Sequence, residues 1–306
     1  MRIDRRGSES NPMNAICGPL RPPFLILTPA CVALGLAMAY RSGAQISMIS
    51  AALALVGAVA AHIAVNALNE YSDFKIGLDA RTRRTPFSGG SGTLPAHPEL
   101  ASLTLAMGLM GAMLAALIGL YFLASQGLAL LPIGVLGLVL VLTYTPWLTR
   151  RPWLCLIAPG LGFGPCMVIG TQVALTGAYS WGGMTASLIP FFLVNNLLLL
   201  NQFPDVEADR SVGRSNLPIL IGRPRSVQVY RLFLGLATLT LGAAIYFRYL
   251  PTFSLIGFLG LAAAVPVVRR LVRNSESAED LLSCLGLNVV VSVATPALVA
   301  LGAYLG

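Results

Sequence analysis

The stretch VNALNEYSDFKIGLDARTRRTPFSGGSG, residues 65–92, decides how the rest of the chain is read. It places three acids (Glu70, Asp73, Asp79) and four bases (Lys75, Arg81, Arg83, Arg84) directly after a long apolar run, in a chain of 306 residues that is 56% hydrophobic and only 10% charged. Soluble globular domains carry about 25% charged residues. Apolar runs near the ~20 residues needed to cross ~30 Å of hydrocarbon recur along the whole length, separated by short polar loops or Pro/Gly breaks. The composition predicts an all-α, polytopic membrane protein and leaves no segment for a sizeable soluble domain.

Reading apolar runs against breaks gives about nine transmembrane helices, at roughly 22–40, 47–69, 100–123, 127–147, 153–175, 184–203, 227–247, 251–268 and 282–304. Residues 1–21 then form a cytoplasmic N-terminal tail and 22–306 a single transmembrane domain. The basic-then-apolar start imitates a signal peptide, but its polar lead is long for an n-region and more spans follow, so an uncleaved first span is expected.

Lys and Arg near span ends resist translocation. With the N-terminus in the cytoplasm, only Arg41 and Arg248 of the 20 Lys and Arg residues fall outside, and all 12 acids fall inside. This predicts a multi-pass protein of the cell inner (cytoplasmic) membrane with its C-terminus outside and lipid around it. The net charge of +8 is therefore topological, and nucleic acid is excluded as a partner. The five cysteines sit mostly inside apolar runs without a C-x-x-C pair, so they read as small buried hydrophobes.

Six acids lie in two short segments, each at the cytoplasmic end of a span. His62, Asn66, Asn69 and Asp73 follow one another at spacings that share a helical face. In NQFPDVEADRSVGRSNLPILIG, residues 201–222, Asn201, Asp205 and Asp209 recur every four residues, with Pro204 expected to kink or restart the helix. Solvated helix ends are the plain reading of such clusters. Against it stand the restriction to Asn and Asp, the single-face spacing and the repetition in two segments. Amide and carboxylate oxygens without clustered thiols suit Mg²⁺, a hard cation that commonly binds one or two carboxylates plus substrate phosphates. Arginines beside each cluster suit a phosphate-bearing ligand. Together they describe a diphosphate site, and the membrane setting makes the rest of the ligand a lipid.

At this point the residues carry a resemblance. NEYSDFKIGLD resembles the first Asp-rich motif of the UbiA superfamily of intramembrane aromatic prenyltransferases, and the 201–222 stretch resembles its second. LRPPFLILTPACVALG resembles that family's opening helix, and GLGFGPCMVIGTQVALTG resembles the fifth-helix region of the menaquinone branch, which prenylates 1,4-dihydroxy-2-naphthoate. Glu70 stands where the family usually has Asp, and LIAP (Leu156–Pro159) replaces a Glu expected before GLGFGP. The resemblance implies a UbiA-like helical bundle whose central cavity is capped on the cytoplasmic side. It also implies Mg²⁺-dependent transfer of a polyprenyl group from polyprenyl diphosphate to an aromatic small-molecule acceptor. Asp73, Asp205 and Asp209 are the expected catalytic acids. Asn69, Asp73, Asp79, Asn201, Asp205 and Asp209 are the expected metal ligands, and Arg83, Arg84, Arg214 and Asn66 the expected diphosphate contacts. His62 is left as a polar contact one turn deeper.

PFSGGSG, residues 86–92, lacks the Lys and the strand–helix setting of a P-loop and reads as a cytoplasmic segment able to cover the site. The glycines of GLGFG, within an apolar span, read as helix-packing positions. Alternative readings keep 4-hydroxybenzoate, homogentisate or a glycerol-phosphate lipid as acceptor. From another class, a transporter would use the acids as ion sites.

Overall fold

A computed structural model describes residues 12–82, 84–273 and 278–306, and these are all helix, turn or coil. Arg83 and the tail up to residue 11 lie outside the described residues. The long apolar helices are α1 (Leu27–Arg41), α2 (Met48–Lys75), α3 (Pro98–Gln126), α4 (Leu128–Thr143), α5 (Pro152–Thr176), α6 (Trp181–Asn201), α7 (Leu217–Tyr246), α8 (Thr252–Arg273) and α9 (Glu279–Leu305). Seven of them, α2, α3 and α5–α9, are long and apolar enough to cross a membrane alone. An eighth arises when α1 is counted with the preceding Ala15–Phe24 segment, from which it is bent by 46°. The break between the two falls at residues 25–26; within the first segment Pro22 disfavours the right-handed helical region for the residue before it, and Arg21 takes φ 51°. The expected ninth, α4, is shorter, about 24 Å at 1.5 Å per residue.

Local chemistry sets the ends of the helices. The Ser180 hydroxyl accepts from Gly183 N at the start of α6 (2.9 Å), and the Asn216 side chain accepts from Ile219 N at the start of α7 (3.0 Å). Gly177 closes α5 at φ 69°, a left-handed position that suits a residue without Cβ.

The spans α1, α5, α6, α7, α8 and α9 share one apolar core, which includes Leu34, Val168, Ile189, Leu193, Leu241 and Val299. Because lipid is as apolar as these side chains, close approach and interhelical hydrogen bonds decide the pairing. Tyr230 Oη donates to Asn288 Oδ1, Asn288 Nδ2 donates to the Asn196 carbonyl, and Asn196 Nδ2 donates to the Tyr230 carbonyl, which closes a polar ring among α6, α7 and α9. At the end away from the acids, Tyr40 stacks on Tyr304 with ring centroids 4.9 Å apart, and exposed Trp181, Tyr246, Phe247 and Phe253 form an aromatic rim. Such rims mark a membrane–water interface. Arg41 reaches the Ala303 carbonyl at this end.

Within α5 the helix widens into a π-helical stretch, Gly162–Ile169. Pro159 and Pro165 each lack the amide donor that an ordinary turn uses. Asn195 Oδ1 on α6 accepts from Gly160 N at 2.7 Å, and a Cβ added at Gly160 would stand 2.3 Å from the Phe191 carbonyl oxygen. At Gly164 it would stand 2.5 Å from the Ser187 carbonyl oxygen, whereas at Gly162, which faces the cavity, nothing lies within 4 Å. Gly160→Ala is therefore expected to cost about 1–3 kcal/mol of stability by overpacking, while Gly162→Ala leaves it unchanged. Thermal unfolding in detergent checks both.

Candidate active site

A cavity of about 650 Å³ opens between α2, α3, α4, α5 and the turn after α6. His62, Asn66, Asn69 and Asp73 all line it, as their shared helical face requires, and so do Asn201, Asp205 and Asp209. The second set does not lie on one continuous helix. Pro204 breaks α6 after Asn201, and a short helix restarts at Val206–Ser211 with Asp205 as its N-cap. Deeper in, the walls are apolar, with Gly57, Ile118, Leu123, Leu138 and Phe163. α4 contributes much of one wall, and its Leu131–Thr143 part has no buried residue of its own, so it separates the cavity from lipid.

The two acidic segments meet through one arginine. Arg214 binds Asp73 with Nη2 and Asp209 Oδ1 with Nη1 at 3.3 Å, and the two carboxylates are only 6% and 7% exposed. The remaining oxygens of that pair are also engaged. Asn69 Nδ2 donates to Asp73 Oδ2 (3.1 Å), and Asn216 Nδ2 donates to Asp209 Oδ2 (2.8 Å), so the N-cap of α7 is wired into the second motif. Thr145 Oγ1 donates to Asn69 Oδ1 (3.1 Å), which fixes that amide's orientation, and Asn66 Nδ2 holds the Leu20 carbonyl (3.0 Å).

Three buried oxygens around the same cavity have no partner: Asp79 Oδ2, Asn201 Oδ1 and Asp205 Oδ1. Buried polar atoms are normally satisfied, so such orphans call for a ligand. Among the described residues, no group of three His, Cys, Asp or Glu side chains could hold a metal ion by itself. The donors present are mixed carboxylate and amide oxygens, which fit a hard cation whose other ligands come from water or substrate.

Burial, together with the neighbouring Asp209 charge, pushes the Asp205 carboxyl up to about 7, against the lowering influence of the nearby Ser88, Arg21 and Gly89. Burial pushes Asp79 up to about 7 as well, helped by the charges of Glu70 and Asp73, and Asp209 is raised chiefly by burial. Uncompensated negative charge concentrated at a cleft in this way is typical of a site built for a cation.

Arg84 departs from its expected place. It is exposed and does not line the cavity, and its Nη1 donates to the Ser91 carbonyl within the same loop at 2.9 Å. Arg81 instead ties the loop to Ser211 (3.2 Å). Arg21, valued in the sequence only as a topological charge, does line the cavity, and its Nε is buried without a partner. Its place depends on a contact with Glu70, 49 residues away, which periodicity cannot reveal. The Pro22-Pro23 pair, which leaves Arg21 at positive φ, is the one local signal for it.

A profile of the UbiA prenyltransferase family matches residues 26–291, nearly the whole membrane domain and both acidic segments. The chain belongs to the UbiA prenyltransferase family. Among curated proteins, this UbiA-family chain is 26% identical over 215 residues to the 1,4-dihydroxy-2-naphthoate octaprenyltransferase of Bacillus subtilis (strain 168), covering 69% of this chain and 68% of that one. Among solved structures, it resembles a UbiA homolog from Archaeoglobus fulgidus bound to DMAPP and Mg²⁺ (TM-score 0.66, 18% identity, 93% of this chain and 98% of that one). It also resembles a digeranylgeranylglyceryl phosphate synthase (TM-score 0.69, 14% identity, 96% and 99%). These structural likenesses establish the UbiA fold. The chain is thus a multi-pass membrane prenyltransferase, an enzyme that moves a prenyl group from its diphosphate to an acceptor, and the transporter alternative falls away.

Proposed function

We propose that the chain transfers a polyprenyl group from polyprenyl diphosphate to an aromatic acceptor, 1,4-dihydroxy-2-naphthoate, at the cytoplasmic face of the cell's inner membrane. The observation that carries this reading is the convergence of both acidic segments on one cavity, joined by Arg214, with the oxygens of Asp79, Asn201 and Asp205 left unpartnered. Asp205, Asp79 and Asn201 offer those oxygens to Mg²⁺, and Asn69, Asp73 and Asp209 complete the oxygen-rich wall. Bound there, Mg²⁺ would supply charge to neutralise the leaving diphosphate.

The chain's own residues do the rest. Arg214 and Arg21 set positive charge at the polar end of the cavity, which stabilises negative charge on the departing group, and Asn66 borders the same end. Loss of diphosphate breaks the allylic C–O bond and leaves an allylic cation. An electron-rich ring carbon of the acceptor attacks that cation and then gives up its proton. The apolar walls accommodate the prenyl chain and exclude water that would otherwise capture the cation. The choice of acceptor rests on the B. subtilis relative and on the GLGFGP region. Purified protein given Mg²⁺, a polyprenyl diphosphate and 1,4-dihydroxy-2-naphthoate, 4-hydroxybenzoate, homogentisate or a glycerol-phosphate lipid should yield prenylated naphthoate by mass spectrometry. Product from another member of that panel alone would move the assignment.

The pH response of the site follows from the raised acids. A carboxyl whose folded-state value is raised binds more protons folded than unfolded, so its stabilising effect is full below about 4 and is lost as pH rises through about 7. The metal-free protein should therefore melt at a lower temperature at pH 8 than at pH 5.5. Mg²⁺ with a prenyl diphosphate should raise the melting temperature most at pH 8, because metal binding takes the ionised carboxylates. Calorimetry across that range checks both signs.

A further inference from the structure

Glu70 is fully buried at the end of α2, yet it does not line the cavity that its neighbours Asn69 and Asp73 face. Both of its carboxylate oxygens are engaged elsewhere. Ser91 N donates to Oε1 and Oε2 at 3.0 Å each, Ser91 Oγ donates to Oε1, and Arg21 Nη2 donates to Oε2 at 3.2 Å. The carboxylate thus holds two elements from opposite directions in the chain, the segment before α1 and the glycine-rich loop after α2. Each of them carries a group to the polar end of the cavity.

From the segment before α1, Arg21 lines the cavity with its Nε buried and unpartnered. From the loop, Ser88, Gly89 and Gly90 line the same cavity as Asp205 of the second motif, and Gly90 sits where an added Cβ would meet Asp79 Oδ1 at 2.8 Å and Glu70 Oε2 at 3.5 Å. Glu70 is therefore the fixed point from which Arg21 is aimed and from which the Ser88–Ser91 loop is laid across to Asp205.

We propose that Glu70 is a positioning residue for the diphosphate of the donor, acting through Arg21 and the Ser88–Ser91 loop rather than as a metal ligand; this rests on the diphosphate site proposed above. Its extra methylene relative to Asp has a geometric consequence. From this backbone position an aspartate carboxylate would fall short of Ser91 and Arg21 by about one C–C bond, so the family's usual residue cannot serve as this anchor. In this chain the site is tuned through the anchor's length, and the metal-facing oxygens come from Asp79, Asn201 and Asp205 instead.

The test uses the purified full chain and follows diphosphate release while the prenyl diphosphate and Mg²⁺ are varied separately. Glu70→Gln and Glu70→Asp are each expected to raise the KM for the prenyl diphosphate about tenfold, as loss of charge-assisted contacts that position the donor would do, with kcat within about threefold. The Mg²⁺ concentration for half-maximal rate, read at saturating donor, should not move. Ser91→Ala, which cuts the same anchor from the loop side, should raise the donor KM less. Combined with Glu70→Gln it should add little, because the two act as one unit. A change in Mg²⁺ half-saturation with an unchanged donor KM, or full recovery of wild-type kinetics in Glu70→Asp, would overturn the proposal. If the Glu70 variants fail to fold, an unchanged donor KM in Ser91→Ala overturns it equally. Absence of turnover in the wild-type chain with every donor and acceptor would instead count against the proposed function.

Discussion

Asp205→Asn is expected to lower the rate of diphosphate release by about 10²–10³-fold, the loss that follows removal of one preorganised charge-stabilising group, while leaving the fold intact. The two halves of that expectation have one cause. Asp205 is a partly enclosed carboxylate whose Oδ1 has no partner and whose pKa is pushed up to about 7. The empty site therefore resists its ionisation, and a neutral amide of the same shape relieves that strain. The variant should melt at or above the wild-type temperature at pH 8, where the wild-type carboxylate is ionised. Lost turnover with retained or raised stability would separate a charge needed for the reaction from one needed for the fold. A variant that melts lower and loses activity in proportion would place Asp205 in the scaffold.

Arg214→Gln has the opposite signature and the larger effect on stability. The guanidinium lies between Asp73 and Asp209, and its removal strands two buried carboxylates. Breaking a buried pair from one side costs about 3–5 kcal/mol, because the remaining charge is left uncompensated. Activity should fall with it, since the same arginine joins the two segments that form the site. Arg214→Lys should recover only part of the loss, as a single ammonium cannot bind two carboxylates with the planar fork of a guanidinium. Adding Asp73→Asn to Arg214→Gln should restore part of the stability, with Asp209 still uncompensated, without restoring activity, and melting curves read beside initial rates check this. Equal stability of Arg214→Gln and the wild type would mean that solvent reaches the pair.

Much of the scaffold was legible because a bilayer makes hydropathy decisive. Each of the nine runs coincides with an apolar helix among the described residues. Only seven are long and apolar enough to cross a membrane alone, with an eighth when α1 is counted with the Ala15–Phe24 segment, and α4 is too short to stand as a span by length alone. The polar face His62–Asn66–Asn69–Asp73 was legible for the same reason, since 3.6-residue periodicity says which residues share a side. It does not say what lies opposite. The pairing of Asp73 with Arg214 joins residues 141 apart in sequence, and that of Glu70 with Arg21 joins residues 49 apart, so neither leaves a local trace. Arg84 shows the converse error: proximity to the motif in sequence implied a contact with the site, but its side chain is spent on the loop that carries it. Glu70, an exception to the motif in sequence, has an ordinary physical account once its partners are seen.

The central claim is that the two acidic segments form one site for a metal-bound diphosphate. Its most direct test is calorimetric titration of the purified chain with a non-hydrolysable prenyl thiolodiphosphate, with and without Mg²⁺, for the wild type and Asp205→Asn. The account predicts binding in the wild type only when Mg²⁺ is present, and loss of that binding in Asp205→Asn. Equal affinity without the metal, or undiminished Mg²⁺-dependent binding in the variant, would contradict it.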